Sequence, residues 1–183
     1  MALPRKAAPP KTRKTARPAV SPTPPAADAP TIRAMRRDAC VKLLERHAVG
    51  RMAYSFHDRV NITPIHYIFA DGWIYARTSR GEKMTTIRHS PWVAFEVDEV
   101  DGIFDWRSVV ALGTVYAIEP GGSRMDVARW SRGVEQLRRL IPETASEADP
   151  VPFRTIVFGI HIDSLTGRAS SRRRRAARQP ASG

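Results

Sequence analysis

From residue 51 onward the apolar side chains fall on every second position for short stretches, each bounded by turn-forming residues. Arg51 to Phe56 sets Met52, Tyr54 and Phe56 against Arg51, Ala53 and Ser55, the period of a half-buried strand, and His57-Asp58-Arg59 suits a turn. Val60 to Ala70 is rich in β-branched and aromatic residues, and Asp71-Gly72 is a strong two-residue hairpin signal before a third strand, Trp73 to Thr78. Pro64 lies inside the second strand, which must therefore be an edge or carry a bulge there, because proline cannot donate to the ladder. Trp92 to Val97, Trp106 to Ile118 and Thr155 to Ile162 complete a set of six strands, with Gly113 marking a bulge and the acidic stretch Asp98 to Asp105 a surface loop.

Helical spacing appears in only a few places. Ala39, Cys40, Leu43 and Leu44 give Arg36 to His47 one apolar face, with Gly50 expected to end the element. Met84 and Ile87 suggest one or two turns after a loop, and Arg124 to Leu140 forms a longer amphipathic helix before Pro142. Six strands joined mostly by short links predict a mainly β fold, an antiparallel barrel with peripheral helices, and the lack of strand–helix alternation argues against a doubly wound sheet.

Charge changes this picture at the two ends. The formal net charge is +12, yet residues 1–30 carry six Lys/Arg and one Asp, residues 168–183 carry six Arg and no acid, and residues 31–167 are close to neutral. The first segment, with eight prolines, has little to bury and is expected to be disordered, and the Arg-rich run Arg172 to Arg175 likewise. These tails read either as solubilising extensions or as weak, salt-sensitive polyanion contacts; no aromatic residue is interleaved to stack on bases. The folded domain is accordingly expected over residues 31–167. Cys40 stands alone, so no intrachain disulfide or Cys-rich zinc site can form, and it reads as a buried helix thiol. No apolar run reaches membrane-spanning length and no secretory signal is apparent, which leaves a cytoplasmic location as the expectation.

Candidate chemistry concentrates at the end of the third strand. Ala76-Arg77-Thr78-Ser79-Arg80-Gly81-Glu82-Lys83 offers Arg77, Thr78, Ser79, Gly81 and Lys83 within seven residues, a composition suited to a phosphate although it lacks P-loop spacing. The histidines His47, His57, His66, His89 and His161 lack metal-ligand spacing, so no metal site is expected. No Gly-x-Ser-x-Gly element supports a hydrolase.

The ordered succession LLERHAVGRMAY, NITPIHYIFADGWIYARTSRGEKM, WVAFEVDEVD, DWRSVVALGTVYAIE and IHIDSLTGR resembles the pyridoxamine 5′-phosphate oxidase-like superfamily of FMN-binding split β-barrels, in particular its branch of flavin-nucleotide-binding and nitroimidazole-resistance proteins. The resemblance implies FMN as cofactor, with its phosphate on Arg77, Thr78, Ser79 and Lys83 and its ring along Thr63, Pro64, Ile65, His66 and Tyr67, mostly through backbone groups. It also implies that Trp106 and Ser108 approach the flavin across the seam of a homodimer. Trp106 and Tyr67 can equally be packing aromatics, and His66 a polar face residue. The nitroimidazole-resistance branch tends to carry histidine where Arg77 stands, which puts nitroimidazole reduction in doubt while favouring phosphate binding. The expected activity is an FMN-dependent oxidoreductase moving electrons or hydride between a nicotinamide, NAD(P)H, and a small aromatic acceptor. A non-catalytic protein carrying or sensing flavin, haem or F420 is the alternative, and a nucleic-acid-associated protein acting through its tails is a third reading.

Overall fold

The computed structural model describes residues 29–56, 59–118 and 123–171. The expected disordered tails fall almost wholly outside these residues, as do His57 and Asp58 of the first expected turn.

Seven antiparallel strands and three helices follow in the order β1 (Thr31–Ala34), α1 (Arg37–Arg46), β2 (Val49–Phe56), β3 (Arg59–Ala70), β4 (Trp73–Thr78), α2 (Glu82–His89), β5 (Trp92–Gly102), β6 (Asp105–Ile118), α3 (Arg124–Arg138) and β7 (Ile156–Ser171). The sheet runs β1-β7-β4-β3-β2-β5-β6, and β6 also pairs with β7. The six strands expected from the sequence therefore close into a ring, with β1 added along the C-terminal half of β7, where Thr31 faces Ser171 and Ala34 faces Arg168.

Burial follows the two-residue period. Met52, Phe95, Val97, Val109, Ile74 and Ile160 point inward and are essentially inaccessible, while Arg51, Glu96 and Ser108 on the same strands point outward. Helix α1 plugs one end of the barrel with Cys40, Leu43 and Leu44, which is the buried thiol expected of Cys40. The Tyr67 hydroxyl donates to the Leu44 carbonyl at 2.7 Å, satisfying one of the last carbonyls of that helix. A second cluster, Tyr75, Ile118, Val134, Leu137 and Val157, forms where α3 lies on the outer side of β4 and β7.

Several local expectations hold for the reasons given. Asp71 and Gly72 have φ of 54° and 81°, the paired positive values of a type I′ hairpin turn. Pro64 pairs with Arg51 of β2, while β4 begins its pairing with β3 only at Tyr67, so the proline's other side meets no strand. The β6–β7 register shifts between Leu112 and Gly113, at the expected bulge.

Others are corrected. Gly50 does not end α1, which stops at Arg46; it lies in β2, where a Cβ would sit 2.2 Å from the buried Phe95 ring. Asp98 to Asp105 is not a loop. β5 runs to Gly102 and β6 resumes at Asp105, because the carboxylates are paired: on the outer face Arg51 binds Glu96 at 3.1 Å and Asp98 at 2.5 Å, while Glu99, on the opposite face, is bound by Arg107 at 3.1 Å and by Arg46 and His47 of the α1 end. The last strand passes the expected domain end at Gly167 and continues to Ser171, held by β6 on one side and β1 on the other. No helix among the described residues is long and apolar enough to cross a membrane.

Candidate functional site

Pairing of Tyr67 with Ala76 sets the ring-binding candidates on β3 beside the strand end that leads into α2. Within this cluster the side chains divide by face. Ile65 and Tyr67 are buried in the barrel, and Tyr67 is further fixed by its bond to Leu44; desolvation drives its phenol pKa well above the usual value. The Tyr67 side chain is thus a packing group of the core, which leaves its backbone as the part that can face a ligand. Pro64 and His66 are exposed, and Thr63 is half-buried.

Arg77 does not present its charge to solvent. It is 7% exposed, and its guanidinium forms a two-pronged pair with Asp149, Nη2 to Oδ1 at 2.9 Å and Nη1 to Oδ2. Asp149 also accepts from the backbone N–H groups of Ala145 at 2.8 Å and Val151 at 2.9 Å. The Arg77 fork, opposed by burial but helped by the two N–H groups, holds the Asp149 carboxyl well below the ordinary carboxylate range. Arg77, expected to grip a phosphate, is thus committed to a buried carboxylate and acts as a strut between β4 and the segment leading into β7.

That strut brings a residue that sequence reasoning missed. Arg154 lies five positions beyond Asp149, with its guanidinium 5.9 Å from the Phe153 ring centroid, and close enough to Lys83 to act on its charge. Burial lowers the Lys83 pKa, and the field of Arg154 lowers it further. Neither cation has a carboxylate partner among the described residues. Lys83 is also the second residue of α2, whose N-cap Gly81 supplies no capping side chain, so the positive end of the helix adds to the same field. Ser79 is exposed at the mouth of this region and Thr78 is buried beneath it. Two unneutralised cations, a hydroxyl and an uncapped helix start make an arrangement that an anion would relieve. No local pattern signals this: Arg154 is the only Lys or Arg between Arg139 and Arg168, and nothing in its neighbourhood ties it to Lys83.

Trp106 and Ser108 do not join this cluster within one chain. They lie on the outer face of β6, three strands away from β3, where Ser108 donates to Glu96 at 2.9 Å. A shallow cleft of about 390 Å³ beside them is lined by Glu96, Asp98, Arg107 and Arg168. Between the two lies an apolar row: Ile62, Ala53, Ala94 and Leu112 stand opposite one another across β3, β2, β5 and β6, flanked by exposed Val60 and Trp92. Among the described residues no group of three His, Cys, Asp or Glu could hold a metal ion.

Comparison with known proteins places this architecture. Over 148 residues the chain is 24% identical to the uncharacterized protein RA0666 of Rhizobium meliloti strain 1021, covering 76% of this chain and 95% of that one. A FAD-binding protein from Mesorhizobium loti superposes with a TM-score of 0.61 at 24% identity, over 76% of this chain and 98% of its own. A candidate 5-nitroimidazole antibiotic resistance protein from Bacteroides thetaiotaomicron also superposes with a TM-score of 0.61, at 12% identity, over 79% of this chain and 90% of its own. At these identities the likeness establishes a shared split-barrel fold. The family model described as pyridoxamine 5′-phosphate oxidase matches residues 36–169, from just before α1 into the last residues of β7, and the chain belongs to that family.

Proposed function

We propose that this chain binds FMN at the seam of a homodimer and acts as an oxidoreductase that passes electrons or hydride from NAD(P)H to a small aromatic acceptor. The observation that carries the reading is Lys83 at the start of α2 under the field of Arg154, neither with a carboxylate partner among the described residues, beside a strand suited to lie along a planar ring. Lys83, Arg154 and Ser79 would hold the phosphate, and Thr63 to Tyr67 would present backbone groups to the ring. Bound flavin would supply the redox chemistry, while the protein supplies binding, orientation and exclusion of water. No side chain is required as an acid or base, in keeping with the absence of a catalytic pair among the residues singled out.

The homodimer is supported by the outer face. The apolar row from Ile62 to Leu112, exposed at both ends and half-buried at Ala53 and Ala94, is of the sort that marks an interface, and it runs from β3 to β6, the strand of Trp106. Burying that face against its copy would carry Trp106 and Ser108 of one chain to the other chain's β3. The relative that binds FAD supports flavin as the class of cofactor; FMN is the reading for this chain.

The test is the visible spectrum of freshly purified protein, followed by titration with FMN. A flavin spectrum and its loss in Lys83→Ala combined with Arg154→Ala are expected, each charge-assisted contact being worth about 1.5–3 kcal/mol. Colourless protein that takes up no FMN, or equal affinity in the double variant, overturns the phosphate assignment. Bleaching by NADPH and reoxidation by a quinone or nitroarene tests turnover on the same sample.

A further inference from the structure

At the other end of β4, about 17 Å along the strand from Thr78 at the usual rise per residue, a cleft of about 570 Å³ opens between the sheet's outer face and the middle of α3. We propose that it is a second ligand site, separate from the flavin cluster, for a planar aromatic carboxylate.

Its wall is a fence of rings. The Trp73 ring meets His161 edge-on at 5.0 Å and Tyr116 edge-on at 5.6 Å, and stacks toward Tyr75 at 6.4 Å with 24° between planes. Trp73 can lie against β7 because the residue beneath it is Gly159, where a Cβ would come within 3.1 Å of the indole. These rings do not serve the barrel core. The inward residues of β4 are Ile74 and Ala76, whereas Tyr116 is 46% exposed and His161 is exposed beside it. Large rings held in fixed orientation around a concavity of this size, within the roughly 300–1,000 Å³ usual for small-molecule sites, suit a flat apolar ligand.

The rim sets the ligand's charge. Arg132 binds Asp71 of the hairpin turn, and His161 contacts Asp163 at 3.0 Å, so both have carboxylate partners. Arg129, one turn before Arg132 on α3, lines the cleft with Asp71 and acts on the charge of Asp126, but makes no ion pair among the described residues. One cation without an ion-pair partner among the described residues, above a ring fence, fits one carboxylate on an aromatic ring.

The experiment is calorimetric titration of the full chain with 2-naphthoate and with 2-naphthamide, the neutral ligand of the same ring and near-equal size. Saturable binding of one naphthoate per chain is expected, with the amide about tenfold weaker for want of a charge-assisted contact. Arg129→Ala should weaken naphthoate by a similar factor and leave the amide unchanged, whereas Tyr116→Ala, at an exposed wall position, should weaken both. Equal affinities for acid and amide, naphthoate affinity unmoved by Arg129→Ala, or absence of saturable binding overturns the proposal. Flavin content measured on the same Arg129→Ala sample should match the unaltered chain; a fall in parallel with naphthoate binding would make the cleft part of the flavin site and overturn its separateness. Colourless protein would remove the flavin reading while leaving this titration fully informative.

Discussion

At position 77 a single guanidinium can either hold a ligand or hold the protein, and Asp149 decides which. A buried carboxylate that receives a two-pronged guanidinium and two backbone N–H groups is nearly fully satisfied, and removing its charge would strand Arg77 in a low-dielectric setting. Asp149→Asn should therefore cost about 3–5 kcal/mol in denaturant unfolding. Its pH dependence follows from the direction of the shift. Because the folded carboxyl is held below its ordinary value of 3.8, the unfolded state binds more protons in acid. The contribution is thus complete above that value and is lost as pH falls toward the folded pKa, so the variant's stability should fall less steeply than the parent's below about pH 4. The same variant separates two roles for Arg77. If Arg77 positions Arg154, Asp149→Asn lowers FMN retention; if Arg77 is itself a phosphate ligand, freeing it from Asp149 raises retention. Flavin bound after dialysis, measured under conditions where both proteins are folded, reads the sign.

Among the elements, those written in local pattern were legible and those made by distant partners were not. The six ring strands announce themselves through alternation around Met52, Phe95 and Val109 and through Asp71-Gly72, which needs no outside help to turn. The N-terminus of α3 is equally written, in Ser123 and Asp126, which cap one another's backbone N–H groups. β1 was invisible: Thr31 to Ala34 is exposed throughout, its alternation of Ile32 and Ala34 with polar residues is only four residues long, and it is a strand because the end of β7 is there to pair with it. The tips of β5 and β6 were hidden for a related reason, since an acidic run looks like a loop until the arginines facing it are known. Gly50 shows how a local rule misleads. It reads as a helix stop, but what the position demands is room for the Phe95 ring, so Gly50→Ala should destabilise the barrel by about 1–3 kcal/mol through overpacking. A melting temperature equal to the parent's would mean that Phe95 has space to turn aside.

On the scale of the whole molecule, the candidate site was legible in its first half only. Ser79 and Lys83 could be picked out because five kinds of phosphate-binding group crowd into one stretch; Arg154 could not, because its approach to Lys83 depends on the Arg77–Asp149 strut folding the chain back. Trp106 and Ser108 raise a larger question, since closing the ring leaves them three strands from β3 on the outer face and no rearrangement of one barrel brings them nearer. If they serve the flavin, they serve a second chain's flavin, and a two-fold dimer then contains two equivalent sites, each built from both chains. Mixing tests this without a further structure. Lys83→Ala and Trp106→Ala chains should each retain little FMN alone, yet a refolded mixture should regain it, because one site of every mixed dimer receives both altered residues and the other receives neither. Recovery of flavin absorbance on mixing, with none when Lys83→Ala is mixed with Arg154→Ala, is the expected result, since those two residues belong to the same half of the site. Full retention by Trp106→Ala alone would instead leave the indole a packing group on the outer face.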